Sequence, residues 1–229
     1  FAYKGESYDS NKDAENIYKS GQAEFIICEE DLGDNIAHAV IKNGRQLLPK
    51  AVSAFYDEPM KKYRSMAVTG TNGKTTSTYI MESIFHEAGM KTCRIGTTGI
   101  MIDDEFVEID NTTPSPELVY SSLARGLEKG CTALTMEVSS HALAQGRING
   151  AFFETAVFTN LTGDHLDFHK DMEHYFQAKA LLFTDDYSKH RVVNTGHDYG
   201  ERLAKLVNKN LITYSGLNNN ADIYPVKYT

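Results

Sequence analysis

The stretch Ser65–Thr76, SMAVTGTNGKTT, constrains this chain more than any other. An apolar, strand-like run ends in Gly70, turns through Thr71, Asn72 and Gly73, and enters a helix-forming run at Lys74. Glycines let a backbone curl tightly enough to aim its N–H groups at an anion. The helix N-terminus behind them adds the positive end of a dipole. Lys74 can place a point charge on the β and γ phosphates of a nucleotide, and Thr75 can offer a hydroxyl to Mg²⁺. Gly70, Thr71, Asn72, Gly73, Lys74, Thr75 and Thr76 are therefore a candidate phosphate loop. It is shorter than the general GxxxxGK[ST] pattern, with Val68 where the early glycine would stand.

A loop of this kind sits between a strand and a helix, and the chain around it repeats that unit. SMAVTG reads as a strand, and KTTSTYIMESIFHEAG as a helix stopped by Gly89, with Ile80, Met81, Ile84 and Phe85 on one apolar face. KTCRIGTTGI reads as a strand and SPELVYSSLARGLEKG as a helix between Pro116 and Gly130. CTALTMEVSS and FETAVFTNL read as strands, DMEHYFQAKALLFTDD as a helix, then HRVVNTG, YGERLAKLVNKN and LITYS as strand, helix and strand. Strands alternating with helices predict an α/β fold, a mostly parallel sheet covered by helices on both faces. Before the loop the rhythm differs. Residues 1–60 carry a helix in AENIYKSGQ, a short buried strand in AEFIICEE, and a helix over NIAHAVIKNGRQLLPKAVSAF interrupted near Asn43–Gly44 and Pro49. The polar YDEPMKKY reads as a linker, so the division expected is 1–60 and 61–229.

With 23 basic and 31 acidic side chains the 229 residues carry net charge −8. That argues against coating nucleic acid or an anionic membrane, which favour a basic surface. A local site for an anionic small molecule remains compatible. Cys28, Cys93 and Cys131 are dispersed in apolar surroundings, as expected of reduced, buried thiols in a cytosolic protein. No apolar run reaches the length of a membrane span.

A nucleotide site needs a magnesium ligand beyond the loop. Glu137 closes the apolar strand ALTME, at the carboxyl end where ligands gather in parallel sheets. Asp164, His165, Asp167, His169 and His174 crowd the run after AVFTNL, also at a carboxyl end. Their spacing alone leaves metal ligation, general-base catalysis and nucleotide contact all open.

Together, GTNGKTT, NTTPSP, MEVSSHALAQGR, FTNLTGDHLDFH and YFQAKALLF occur in the order and at the spacings of the Mur ligases. Over essentially its whole length the chain resembles that family, and most of all the branch that adds the third residue of the peptidoglycan stem peptide. The opening run resembles the latter half of the family's UDP-binding domain. The resemblance implies an ATP-dependent amide ligase working through an acyl phosphate, with ATP and Mg²⁺ as cofactors and UDP-MurNAc-dipeptide and an amino acid as substrates, in a cytoplasmic monomer. It implies that the Gly70–Thr76 loop, Asn160 and Asp164 hold ATP, and that Lys74, His165 and Lys179 are catalytic. Thr75, Glu137 and His165 would bind Mg²⁺. Lys179 would be carbamylated by CO₂ and serve as a further ligand. Asn111, Thr112, Thr113, Ser139, Gln145 and Arg147 would grip the nucleotide-sugar peptide, with His141 orienting the site or simply packing.

Phe1 falls inside a strand-like run, and ADIYPVKYT closes on a strand-like alternation. The expectation is a piece of a longer ligase, lacking the early part of the UDP-binding domain, the end of the central domain and the amino-acid-binding domain, and unable to complete ligation alone. The alternatives are a folylpolyglutamate synthase, a lipid II amidation subunit, a non-catalytic nucleotide-binding module or a P-loop kinase. The amidation subunit would be expected to carry a cysteine cluster for zinc, which three dispersed cysteines do not supply.

Overall fold

A computed structural model describes residues 1–5, 8–163, 168–217 and 219–226. The first 60 residues form α1 (Asn11–Lys19), β1 (Ile26–Cys28), β2 (His38–Val40) and α2 (Gly44–Phe55). A 3-10 turn, Pro59–Lys62, leads into the larger part. There follow β3 (Arg64–Thr69), α3 (Lys74–Glu87), β4 (Thr92–Gly96), β5 (Gly99–Ile102), β6 (Glu105–Val107), α4 (Pro116–Glu128), β7 (Ala133–Glu137) and α5 (Ser140–Ala144). The chain continues through β8 (Phe153–Phe158), α6 (Met172–Ala180), β9 (Ser188–Asn194), α7 (Asp198–Leu206) and β10 (Leu211–Tyr214).

The large sheet runs β10-β9-β8-β3-β7-β4-β5-β6. Pairs from β10 to β4 are parallel, and β5 and β6 add an antiparallel edge. β4 and β7 are buried along their whole length, as apolar strands covered on both faces must be. The crossover through α3 carries the chain from β3 past β7 to β4, whereas those through α4, α6 and α7 advance the opposite way. Right-handed crossovers of opposite direction lie on opposite faces, so α3 covers one face and the others its reverse. The reversal falls between neighbours β3 and β8. Crevices at such a switch point, outside the carboxyl ends of the strands, are where open α/β sheets bind ligands.

β1 and β2 pair in parallel as a separate small sheet over a core of Ala2, Ala14, Ile26, Cys28 and Ile36. α2 joins this unit to the larger one, because it packs on α4 and its Val52 and Tyr56 lie against the main core. Pro59, Met60 and Tyr63 are buried, so the expected polar linker is a packed joint.

Three further expectations change. The run Asn35–Val40 is not helical: His38–Val40 is a strand that pairs in parallel with β1, and the helix begins only at Gly44 after Asn43 takes a left-handed conformation. KTCRIGTTGI is two antiparallel strands turned at Thr97–Thr98. The apolar stripe assigned to α3 does not face the core. Ile80 and Ile84 are 56% and 62% exposed, while Thr78 and Glu82 are buried. Glu82 goes in because Arg94 on β4 meets it at 2.8 Å.

Candidate active site

The loop after β3 is held in shape by the loop after β8. Gly70 and Gly73 take φ of 151° and 83°, conformations that disfavour a Cβ. A Cβ on Gly70 would overlap Thr159 Oγ1 and stand 3.0 Å from the Asn160 carbonyl. That carbonyl accepts from Thr71 N at 3.0 Å. The Asn160 side chain accepts from Asn72 N at 3.0 Å and donates to Asn72 O at 3.1 Å, while Thr159 Oγ1 donates to Asn72 O at 2.7 Å. The loop thus has its curvature fixed by protein contacts alone. The first-turn N–H groups of α3, from Lys74 on, have no acceptor within their own helix, and the helix dipole adds positive potential there. Thr76 is exposed on that first turn.

Two lysines converge on the loop. Lys74 Nζ folds back to donate to the Gly70 and Thr71 carbonyls, both at 2.9 Å. Lys179, on α6 and only 2% exposed, donates to the same Gly70 carbonyl at 2.9 Å and reaches Thr69 Oγ1 at 3.5 Å. The sequence-predicted pair is therefore brought together across more than a hundred residues of chain.

Glu137 lies at the end of β7, beside the loop and fully buried. Its Oε2 accepts from Thr75 Oγ1 at 3.0 Å and from Thr97 Oγ1 at 3.1 Å, and its Oε1 accepts from Thr97 N at 3.0 Å. A buried carboxylate held by hydroxyl and amide donors beside a phosphate-type loop is a hard-oxygen donor set, the chemistry that Mg²⁺ takes. Thr75 and Glu137 thus fit a divalent cation.

The residues expected on the acceptor side separate into two roles. Thr113 is buried, donates to the Glu137 carbonyl at 3.0 Å and accepts from Ser139 N at 3.0 Å. Ser139 caps α5 by accepting from Ala142 N. Thr112 Oγ1 touches Thr97 Oγ1 at 3.0 Å, a link running to Glu137. Asn111, Gln145 and Arg147 line a cavity of about 330 Å³ between the two units, together with Tyr3 and Arg45 from the smaller one. Arg147 Nε donates to Gln145 Oε1 and Nη1 to the Thr113 carbonyl, both at 3.0 Å.

Asp164, His165 and Asp167 lie outside the described residues. His169 and His174, expected in the same cluster, diverge. His169 is buried with Nε2 2.8 Å from Ser140 Oγ, and His174 is exposed, its Nδ1 2.8 Å from Asp171 Oδ1 at the start of α6. No group of three or more His, Cys, Asp or Glu suited to a metal occurs among the described residues. The His141 ring packs 4.1 Å from that of Phe168.

Several residues at the site escaped the sequence reading: Thr97, Thr159, Tyr175 and Arg45. Thr97 and Thr159 follow the carboxyl ends of β4 and β8, and the rule that placed Glu137 would have placed them too. Arg45 carried no signal, since its side chain meets the site only through the packing of α2.

Residues 68–228 match the model of the Mur ligase middle domain. The chain belongs to the Mur ligase family. It is 36% identical over 214 residues to the UDP-N-acetylmuramoyl-L-alanyl-D-glutamate–2,6-diaminopimelate ligase of Aquifex aeolicus, covering 93% of this chain and 44% of that protein. With the protein of the same name from Gloeobacter violaceus it shares 44% over 208 residues, 90% of this chain and 42% of that one. The chain spans somewhat under half the length of these curated relatives. A solved structure of a ligase with that name superposes with TM-score 0.79 at 32% identity, over 94% of this chain and 45% of the other. Folylpolyglutamate synthase from Mycobacterium tuberculosis, solved with ADP and AMPPCP, shares the fold at TM-score 0.58 and 14% identity, over 74% of this chain and 48% of that one.

Proposed function

We propose that this chain supplies the phosphate-donor half of an ATP-dependent amide ligase of peptidoglycan synthesis, one that adds the third amino acid to UDP-MurNAc-L-Ala-D-Glu. The observation that carries this reading is the convergence of Lys74, Lys179, Thr75 and Glu137 at the ends of β3 and β7. A carboxylate is a poor electrophile, and attack on ATP brings two anions together. Positive groups fixed before the reaction lower that barrier most.

In this reading the loop N–H groups and Lys74 hold the phosphates, and Asn160 keeps the loop in register. Thr75 and Glu137 hold Mg²⁺, which when bound neutralises charge on the phosphates. Asp164 and His165 join the nucleotide and metal side. Lys179, buried beside Lys74, becomes a carbamate by reaction of its neutral amine with CO₂ and turns from a cation into an oxygen ligand. Asn111, Gln145 and Arg147, with Thr112, Thr113 and Ser139 shaping their segments, receive the acidic acceptor, for which the Arg147 fork suits a carboxylate or phosphate. Residues 1–60 are part of a UDP-binding domain with its linker, and 61–229 belong to the central ATP-binding domain. Buried free Cys28, Cys93 and Cys131 support a reducing, cytoplasmic setting. Among the described residues no helix is long and apolar enough to cross a membrane.

The names of the relatives make 2,6-diaminopimelate the first amine to try. The test is transfer of the ATP γ-phosphate to UDP-MurNAc-L-Ala-D-Glu, trapped with hydroxylamine as the hydroxamate. Hydroxamate requiring both ATP and the dipeptide carries the proposal. Trapping with a folate glutamate acceptor instead identifies the synthase branch, and transfer to a hydroxyl identifies a kinase.

A further inference from the structure

Lys179 is not the only α6 side chain that reaches the phosphate loop. Tyr175 stands one helical turn earlier, and the i, i+4 spacing puts both on one face of α6. Tyr175 is fully buried, and its hydroxyl lies 3.3 Å from Thr71 Oγ1. Thr71 Oγ1 in turn donates to the Thr162 carbonyl at 3.2 Å and accepts from Thr162 N at 3.0 Å. The Tyr175 ring carries Lys179 Nζ 4.7 Å above its centroid. The His169 ring also lies against it, at 4.9 Å and tilted by 31°, with its Nε2 2.8 Å from Ser140 Oγ at the start of α5. Thus α6 grips the loop at two consecutive residues, Gly70 through Lys179 and Thr71 through Tyr175.

We propose that Tyr175 is a positioning residue for the phosphate loop, and that it is the tie from α6 that persists when Lys179 is modified. This rests on the reading of Lys179 as a carbamate. As an amine, Lys179 donates to the Gly70 carbonyl. Carbamylation forms an N–C bond between the neutral amine and CO₂, and two protons leave the original ammonium. The product carries an anionic carboxylate, so it repels the carbonyl oxygen that the ammonium held. The Tyr175–Thr71 contact does not depend on that charge. It holds the loop to α6 in both forms, and through His169 it fixes the loop to α5, the element that opens at Ser139 and Ser140 beside the acceptor residues. The placement of the hydroxyl favours this over plain packing. A buried phenol needs a partner, and this one takes the side chain of the loop residue whose own N–H is bound to Asn160.

The experiment is hydrogen exchange by mass spectrometry on the ligand-free protein, alongside nucleotide titration, for wild type, Tyr175→Phe, Thr71→Val and the double variant. Tyr175→Phe keeps the ring under Lys179 and removes only the hydroxyl. It should speed exchange in the peptide spanning 70–76 by about five-fold, the factor one ordinary hydrogen bond carries, with β7 and β9 unchanged. In bicarbonate the ratio of variant to wild type should grow, because Lys179 then no longer shares the load. The double variant should exchange no faster than Thr71→Val alone. Unchanged loop exchange in Tyr175→Phe, or additive effects in the double variant, overturns the proposal. Should Tyr175→Phe not fold, the Thr71→Val comparison in and out of bicarbonate decides, and equal exchange in that variant and wild type overturns it. If wild type binds no nucleotide, the ligase reading fails, yet the ligand-free exchange still decides the role of Tyr175. If exchange in bicarbonate matches that without it in every protein, persistence through modification is overturned.

Discussion

Gly96→Ala tests whether Glu137 is held as the geometry requires. Gly96 ends β4 with ordinary strand dihedrals, so alanine meets no backbone penalty there. The added Cβ would instead overlap Glu137 Oε1 and lie 2.8 Å from both its Cδ and Cγ. Glu137 is fully buried in a packed strand and has no free volume to retreat into. Moving it breaks some of the three bonds from Thr75 and Thr97. Overpacking costs about 1–3 kcal/mol, and each lost hydrogen bond to a charged group about 1.5–3 kcal/mol. With partial relaxation a total near 3 kcal/mol is expected, which at this chain length lowers Tm by about 6–12 °C. Thermal unfolding reads the stability loss, and Mg²⁺-dependent nucleotide binding should fall at least ten-fold at temperatures where the variant is folded. A Tm within a degree of wild type, with Mg²⁺ dependence intact, would refute the claim that Gly96 is there to admit the carboxylate.

Other outcomes follow from the same contacts. Arg94→Leu strands the buried Glu82 carboxylate and frees Thr98, which accepts from Arg94 Nη1 at 2.8 Å beside Thr97; it should cost about 3–5 kcal/mol in urea unfolding, and Glu82→Leu in the same chain should restore most of it. Glu173 is held down to about 2 from its ordinary 4.5 by the Arg202 guanidinium and by Gln177. Its folded value is depressed, so its contribution is complete above pH 4.5 and is lost as pH falls toward 2. The Tm difference between wild type and Arg202→Gln should therefore vanish across that window, and a difference that stays constant would contradict it. Burial, and next the neighbouring Cys131, push the Cys93 thiol up to about 12. Native protein at pH 8 should resist alkylation at Cys93 until it is unfolded in urea, and rapid labelling of the folded state would count against the packed environment.

The order of strands and helices after Ser65 was legible because buried parallel strands are continuous apolar runs, and helices are marked by Pro116 and by Gly89 and Gly130. The loop, Glu137 and Lys179 were legible as motifs, and the sheet explains their meeting. Periodicity misled where a charged pair outbids an apolar stripe. Ile80 and Ile84 face outward because Glu82 and Arg94 satisfy each other inside. The hairpin at Thr97–Thr98 went unread because a strand doubling back carries the same residues as one running on. Thr97 and Thr159 stand just past strand carboxyl ends and were readable by that position, whereas Tyr175 acts through a hydroxyl whose partner Thr71 is remote in sequence, and no local pattern signals that. The small unit was hardest, since a three-residue strand such as His38–Val40 offers too short a run to display its period.

The central claim is that the loop and the two lysines form an ATP site. Equilibrium titration of ATP in Mg²⁺, comparing wild type with Lys74→Met, tests it most directly. The account predicts saturable wild-type binding that weakens without Mg²⁺ and falls at least ten-fold in Lys74→Met at unchanged Tm. Binding of equal strength in the two proteins, or none in wild type, would contradict it.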